Sequence, residues 1–455
     1  MYWWKVAAVL ALALLLRCGV LWKFGGALTE DRDNYRRIAG HIAAGDGFVD
    51  PQTVMPTAYR PPLYPLLLAA VLRCGGGTTA IGIVQVMLAI VTVALTIACG
   101  RKLALAQAGA DAANFDAANF DPVNFDLASA DRISLAAGVL VACDPLLLYQ
   151  TALVMTETVA ALLATLLIWM SLRRPTPRSN FCLGLVLGLA CLCRPTFWAF
   201  GALSAAIWGL RWLGRRTPAP NDSLLTAGSL VAGLALVVAP WVIRNAVVMG
   251  RPIFTTTHGG YTLLLAHNPA YTRAVVEQPW GAVWEGEQQA DWVAAIEAKM
   301  TQENPPIDAA HLSPVVELAR DRWMSQTAWQ YIRGEPVVAV KTALTLLGRM
   351  WNVVPLATNE RSSRSAAVRL TIGTFYLGLF LAVCVGVSRH RRASWSAWRP
   401  ALVLIVSFTA VHSLYWADMR MRTPLVPAIA LLAATCFSTR SPRRSSAQQF
   451  TPRGG

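Results

Sequence analysis

Residues 29–65 read TEDRDNYRRIAGHIAAGDGFVDPQTVMPTAYRPPLYP, a charged segment directly behind an apolar run at about residues 3–24. Acidic side chains are costly near a bilayer, so they must be hydrated, paired or functional. Three of them, Glu30, Asp31 and Asp33, lie within a stretch of four residues. The segment therefore predicts chemistry at the boundary between water and lipid.

The composition of the whole chain indicates an integral membrane protein. Hydrophobic residues make up 55% of the chain and charged residues only 14%, with a mean hydropathy of +0.44, whereas a soluble domain carries about 25% charged residues. The net charge of +15 does not favour nucleic acid as a partner, because the basic residues cluster just after apolar runs, as the positive-inside rule describes. These clusters are Arg101 and Lys102; Arg173, Arg174 and Arg178; Arg211, Arg215 and Arg216; Arg389, Arg391 and Arg392; and Arg440, Arg443 and Arg444.

The apolar runs predict an all-α polytopic membrane protein with about 10–13 transmembrane helices. The candidate spans are about 3–24, 79–99, 133–149, 152–172, 181–193, 195–210, 223–243, 368–388, 400–416 and 423–438. Two of them meet at Arg194 and Pro195, as a tight hairpin or as one broken element, so the number of spans stays a range. With a cytoplasmic N-terminus, every basic cluster falls on the cytoplasmic side.

The spans divide the chain into a transmembrane module at 1–243, which contains the first outer loop at 25–62, an extracytoplasmic region at 244–367, and C-terminal transmembrane helices at 368–438. Residues 62–72 are too few to span and predict a juxtamembrane helix, and the run 336–355, with Lys341 and Arg349, predicts an interfacial helix. The polar tail 439–455 is expected to be disordered. A pentapeptide period, DAANF-DAANF-DPVNF-D at 111–126, has too few repeats for a solenoid and is interpreted as an expanded cytoplasmic loop without a catalytic role.

The first outer loop predicts an amphipathic helix over about residues 33–44. Its apolar stripe has helical spacing and consists of Tyr35, Ile38 and Ile42. Gly45 and Gly47 end the helix, and Asp31 or Asp33 lies at its N-terminus. Such an acid is either a helix cap or a general base that takes a proton from an acceptor, and the residues alone leave both interpretations open.

Outside this loop, the presence of one acid and several arginines on the outer side of the membrane has to be explained. Glu157 opens an apolar helix, where it is either functional or held in a polar contact. The arginines contradict the positive-inside pattern, and their guanidinium groups suit phosphate oxygens. They either contact a lipid-linked phosphate or pair with headgroups and acids, and they are Arg60, Arg194, Arg244, Arg420 and Arg422.

Several short motifs resemble family 39-type glycosyltransferases of the GT-C membrane fold, which include the aminoarabinose transferases of lipid A and the protein O-mannosyltransferases. In chain order, the motifs are Asp31 four residues before Tyr35, Ile38-Ala39, Gly45 to Phe48, Tyr59 to Pro65, Thr156-Glu157, Gly184 to Pro195, Pro240 to Asn245 with Gly250, and Met421 to Pro427. The resemblance implies a GT-C-like bundle in the bacterial inner membrane, with juxtamembrane helices and an active site facing the periplasm.

The resemblance also implies a sugar donor on polyprenyl phosphate and an acceptor that is a lipid, a glycan or a protein. Asp31 matches the catalytic aspartate of the family, which would act as the general base, with Asp33 or Glu157 assisting. The implied substrate contacts are Tyr35, Arg60, Tyr64, Arg194, Arg244 and Arg422. Arg32 occupies a place where relatives often carry a second acid, so the resemblance does not decide whether a divalent metal is bound.

Two other kinds of protein remain as alternatives. A polytopic transporter or lipid flippase commonly shows internal repeats and binding groups at mid-membrane, whereas here the ionisable groups concentrate at the outer rim. A family member that has lost its activity is the other alternative, because of Arg32. His258 and His267 are interpreted as parts of the loop structure rather than metal ligands.

Overall fold

The computed structural model describes residues 1–112, 122–213, 220–303, 313–356, 363–389 and 395–437. Residues 113–121 of the pentapeptide repeat and the tail 439–455 lie outside these ranges. The helices of the first half are α1 Tyr2–Phe24, α2 Tyr35–Ala44, α3 Leu63–Arg73, α4 Thr78–Ala112, α5 Pro122–Cys143, α6 Pro145–Gln150, α7 Glu157–Ser171, α8 Pro177–Cys193, α9 Phe197–Leu213 and α10 Pro220–Val248. Those of the second half are α11 Gly259–Ala266, α12 Pro269–Tyr271, α13 Glu287–Glu303, α14 Pro314–Gly334, α15 Pro336–Met350, α16 Ser363–Arg389, α17 Trp395–His412 and α18 Val426–Ala434.

The prediction of an all-α polytopic membrane protein is confirmed over the described residues, which contain helices and no strand. Among the described ranges, four segments are long and apolar enough to cross a membrane by themselves: Tyr2–Thr29, Thr78–Ala106, Leu224–Val248 and Ala366–Ser388. Shorter apolar helices lie at Leu63–Arg73, Glu157–Ser171, Pro177–Cys193 and Ala397–His412. Each of the ten predicted spans contains helix, while the number that cross the membrane and the division into domains stay predictions.

Two predicted spans differ in detail from the helices observed. The span at 133–149 is broken between α5 and α6, because Pro145 has no N–H to continue the ladder and the Asp144 side chain accepts a hydrogen bond from the Leu147 N–H at 2.8 Å. Residues 181–193 and 195–210 form two separate helices, α8 and α9, rather than one broken element.

α8 packs along α10 through glycines. A Cβ atom on Gly184 would collide with the backbone carbonyl of Leu230, and one on Gly233 would collide with that of Phe181. Small residues at such positions let two helix backbones approach closely within a membrane. This contact fixes the end of α8, and therefore the position of Arg194 just beyond it.

The first outer loop contains α2 and α3, so helices form at both of the places predicted there, while the position of α3 beside the membrane stays a prediction. α2 buries Tyr35, Ile38 and Ala39 and ends at Gly45, whose φ of 102° suits glycine. The predicted helix near 336–355 is α15, which exposes an apolar face made of Val337, Val340 and Leu344. Its placement at the membrane interface stays a prediction.

A candidate active site at one end of the helix bundle

Asp31 binds the start of α2. Its Oδ1 accepts the backbone N–H of Arg36 at 3.0 Å and its Oδ2 accepts that of Arg37 at 2.8 Å. The Arg37 Nε lies 3.7 Å from the same carboxylate. The residue before the helix, Asn34, has a φ of 63° and makes no side-chain cap, so Asp31 supplies acceptors for two N–H groups that would otherwise have no helical partner.

Asp33 instead faces Arg60, the residue before the Pro61-Pro62 pair. The Arg60 Nη2 donates to Asp33 Oδ1 at 2.8 Å, and the Arg60 Nε donates to the Asp33 carbonyl at 3.0 Å. The guanidinium also lies over the rings of Tyr35 and Tyr59, at 5.5 and 5.2 Å from their centroids. Asp33 and Arg60 are partly open to solvent.

His258, at the start of α11, completes the environment of Arg60. The Arg60 Nη1 donates to His258 Nε2 at 3.4 Å, and the imidazole ring lies against Tyr59 and Tyr261. Burial, followed by the charge of Arg60, holds the pKa of His258 well below its ordinary value. The imidazole is therefore neutral and serves Arg60 as an acceptor.

Glu157, the first residue of α7, lies between two arginines. Its Oε1 is 3.3 Å from the Arg420 Nε and 3.6 Å from the Arg194 Nη1. The Glu157 side chain is 1% exposed, whereas that of Arg420 is 33% exposed. Neither of these two nitrogens nor Glu157 Oε2 makes a hydrogen bond, so the trio is held by charge and retains hydrogen-bonding capacity.

Tyr35 lies near both sets of charged residues, the pair of Asp33 and Arg60 and the trio around Glu157. Burial raises the pKa of the Tyr35 hydroxyl above its ordinary range, and the charges of Arg60, Asp33, Glu157 and Arg194 also act on it. The Tyr64 ring packs edge-on against Tyr35, 5.3 Å away. We call Asp33, Tyr35, Arg60, Glu157, Arg194 and Arg420 the rim cluster.

Two of the predicted substrate-binding arginines lie elsewhere and hold backbone carbonyls. Arg244 donates to the carbonyls of Thr57 at 2.7 Å and Phe48 at 2.5 Å. Arg422 is fully buried, donates to the carbonyls of Met350 and Asn352, and lies 4.1 Å over the ring of Tyr376. The structure therefore brings Arg60 and Arg194 to the rim cluster but not Arg244 or Arg422.

The first loop is also held from outside by α14. Glu317 accepts hydrogen bonds from the Thr57 hydroxyl at 2.6 Å and the Ala58 N–H at 2.9 Å, and from the Thr257 hydroxyl. Burial raises the pKa of the Glu317 carboxyl, and these donors partly offset the shift. This contact fixes the backbone two residues before Arg60.

Two residues of the site were not among the predicted site residues. Arg420 lies beside Glu157. In the sequence, the one feature that pointed to Arg420 was its predicted position on the outer side with the other arginines. His258 contacts Arg60 directly, although the sequence interpretation placed it in the loop structure.

The donors around the rim cluster do not fit a metal ion. The described residues contain no group of three His, Cys, Asp or Glu side chains that could hold one. Asp33 and Glu157 are each paired with guanidinium groups, and His258 accepts from Arg60. A cation would have to displace these arginines.

Comparisons with known proteins give a distant structural likeness. No family model matches the chain, and no curated protein does. Among solved structures, ArnT from Cupriavidus metallidurans in the apo state matches with 13% identity and a TM-score of 0.40, over 95% of this chain and 77% of that one. ArnT from the same organism bound to undecaprenyl phosphate matches with 14% identity and a TM-score of 0.36, over the same shares. ArnT is an aminoarabinose transferase, one of the types of protein that the motifs along this chain resemble. At such low TM-scores this likeness carries no weight for the chemistry of the present chain.

Proposed function

We propose that the protein is an integral membrane glycosyltransferase that moves a sugar from a polyprenyl-phosphate donor to an acceptor on the extracytoplasmic side. The observation that carries the proposal is the rim cluster, in which three arginines and two carboxylates meet at one end of the bundle. Ionisable groups near a membrane are costly and are retained where they act on a substrate or its charge.

The arginines suit the phosphate of the donor. Arg194 and Arg420 each have a buried nitrogen without a hydrogen bond beside Glu157, and the Arg420 side chain is 33% exposed. Arg60 pairs with Asp33 through Nη2 in a partly exposed ion pair, so a donor phosphate would compete with the Asp33 carboxylate for that nitrogen. Guanidinium groups bind phosphate strongly, and they stabilise the charge that develops on the leaving group.

Asp33 is the base in this proposal. When the donor phosphate takes Arg60, the Asp33 carboxylate becomes free to accept the proton of the acceptor hydroxyl or amine. The acceptor atom forms a bond to the anomeric carbon, the bond from that carbon to the phosphate oxygen breaks, and polyprenyl phosphate leaves with the electron pair. In-line displacement inverts the configuration at the anomeric carbon.

Asp31, the match to the catalytic acid of the resembling family, has a positioning role in this scheme. Both of its oxygens accept backbone N–H groups of α2, so taking a proton would cost a helix contact. Glu157 holds Arg194 and Arg420 in place. In this proposal, Tyr35 and Tyr64 contact the bound donor.

The test compares three acids of one loop in the purified full-length protein, with a panel of polyprenyl-phosphate sugars and release of polyprenyl phosphate as the measurement. Asp33→Asn is expected to lower turnover by about 10²-fold or more, the usual contribution of a general base. The matched control is Asp46→Asn, which removes an exposed carboxylate paired only with His41 and is expected to leave turnover unchanged.

Asp31→Asn is expected to lower thermal stability while the folded protein keeps its turnover. The opposite pattern, with Asp31→Asn inactive but folded and Asp33→Asn active, would transfer the base to Asp31. If the wild-type protein releases no sugar from any donor but moves polyprenyl-phosphate sugars across proteoliposome membranes, the protein is a flippase and the proposal is wrong.

A further inference from the structure

A cavity lies at the opposite end of α7 from the rim cluster. It has a volume of about 400 Å³ and lies between the end of α7, one side of α9 from Phe200 to Trp212, and the first half of α17. α7 runs from Glu157 to Ser171, which at a rise of 1.5 Å per residue separates the two sites by roughly 20 Å. The cavity is therefore independent of the proposed transfer reaction.

The polar lining of this cavity is cationic and rich in hydrogen-bond donors. Arg211 and Arg399 line it from α9 and α17, together with Ser204 and with Ser171, whose hydroxyl donates to the carbonyl of Leu167. Trp208 and Trp212 also line it, and the buried Nε1–H of Trp212 has no hydrogen-bond partner. A buried N–H without an acceptor is costly, and an oxygen of an anion would satisfy it.

The surface beside the cavity is apolar and faces outward from α9. Leu210 and Leu213 are 71% and 73% exposed, and Trp208 is 45% exposed. Side chains of this kind on a membrane helix contact acyl chains, and tryptophan prefers the level of the headgroups. The occupant that satisfies both surfaces at once has an anionic head and an apolar tail.

We propose that this cavity binds the phosphate headgroup of an anionic membrane lipid, with its acyl chains along α9. Basic pockets between transmembrane helices on the cytoplasmic side bind such headgroups. Arg173, Arg174 and Arg178 lie at the same end of α7 and α8, which by the positive-inside rule is the cytoplasmic end.

The experiment is native mass spectrometry of the full-length protein in detergent, titrated with phosphatidylglycerol and, separately, with phosphatidylcholine. The double variant Arg211→Gln with Arg399→Gln is expected to weaken the first phosphatidylglycerol site by about tenfold or more, the loss of a charged hydrogen bond. The matched control, Arg174→Gln with Arg178→Gln, removes the same charge at the same end outside the cavity and is expected to leave this affinity unchanged.

Ser204→Phe fills the cavity without changing any charge, and it is also expected to abolish the first site. This variant decides the question if the double arginine variant does not fold. If the double arginine variant in the cavity and its control lost the same affinity for phosphatidylglycerol, the lipid would be attracted to the basic surface in general, and the proposal would be overturned. Displacement of the lipid by excess inorganic phosphate, at the same arginines, would assign the site to a soluble phosphate instead and also overturn it.

Discussion

At the scale of single residues, the distance between two charged groups does not by itself predict how much an ion pair of this protein contributes to stability. Arg32 and Glu30 are 2.7 Å apart, but their side chains are 58% and 53% exposed. Glu157 has longer contacts with Arg194 and Arg420, yet it is almost completely buried. Exposed pairs contribute about 0–1 kcal/mol, whereas removing one partner of a buried pair leaves an uncompensated charge.

Glu157→Gln is therefore expected to destabilise the protein by about 3 kcal/mol, because Arg194 loses its counter-charge in a buried position. Glu30→Gln, which breaks the shorter pair, is expected to change stability by less than about 1 kcal/mol. The measurement is the midpoint of thermal unfolding in detergent, followed by tryptophan fluorescence. Equal shifts for the two variants would contradict the importance of burial.

The sequence identified the acids and arginines of the site but not which of them would converge. Asp31 and Asp33 are two residues apart, yet Asp31 accepts N–H groups of α2 and Asp33 pairs with Arg60. These directions depend on the backbone dihedral angles of the turn before α2, which a sequence pattern does not reveal. Similarly, Arg420 and Arg422 lie in a 3₁₀ segment, Met419–Leu425, where residues two apart point roughly 240° from each other. Only one of them can face Glu157.

At the scale of the elements, the contact between α8 and α10 depends on the absence of side chains. Gly184→Ala places a methyl group against the Leu230 carbonyl, which belongs to the backbone and cannot rotate away. We expect a loss of about 1–3 kcal/mol, the usual cost of overpacking.

Gly228→Ala is the matched control on α10, since no atom lies within 4 Å of its added Cβ. It is expected to stabilise the helix by about 0.5–1 kcal/mol. Thermal unfolding of the two variants should thus show shifts of opposite sign. A shared sign would mean that the helices do not approach as closely as described.

The contact of α14 with the first loop predicts a pH dependence. Because burial raises the pKa of Glu317, the folded protein keeps this proton at pH values where the unfolded chain has lost it. The contribution of Glu317 to stability is therefore largest at low pH, falls as the pH rises from the ordinary glutamate pKa to the raised one, and is constant above it.

Glu317→Gln removes this titration, so the variant should gain stability relative to the wild type as the pH rises through that window. The unfolding midpoint is measured for both proteins across the acidic range. Glu287→Gln, at an exposed glutamate of α13, is the control and should follow the wild type. A constant difference between Glu317→Gln and the wild type would contradict the raised pKa.

At the scale of the whole molecule, hydrophobicity predicted where the helices lie better than it predicted how many cross the membrane. All ten apolar segments contain helix, because a long apolar run in lipid must satisfy its backbone internally. Within the part of the chain that the structure describes, four segments meet the length and hydropathy of an independent span. The shorter ones, such as α7 and α8, are supported by packing against neighbours, which the sequence does not report.

The topology is testable with cysteines. Cys74, exposed just after α3, lies at the end of the bundle with the first loop. In a variant that keeps only this cysteine, a membrane-impermeant maleimide is expected to label intact cells from outside. A cysteine at Ser179, near the start of α8 at the other end, should react only after the membrane is permeabilised. Reversed labelling would contradict the orientation.

The length of α7 has a consequence for where a substrate would be met. Its 15 residues measure about 22 Å along the axis, less than the roughly 30 Å of a bilayer's hydrocarbon core. If Ser171 lies at one face of the hydrocarbon core, Glu157 lies several ångströms inside the opposite face. A lipid-borne substrate would then react at the depth of its own first carbons, without being lifted into water.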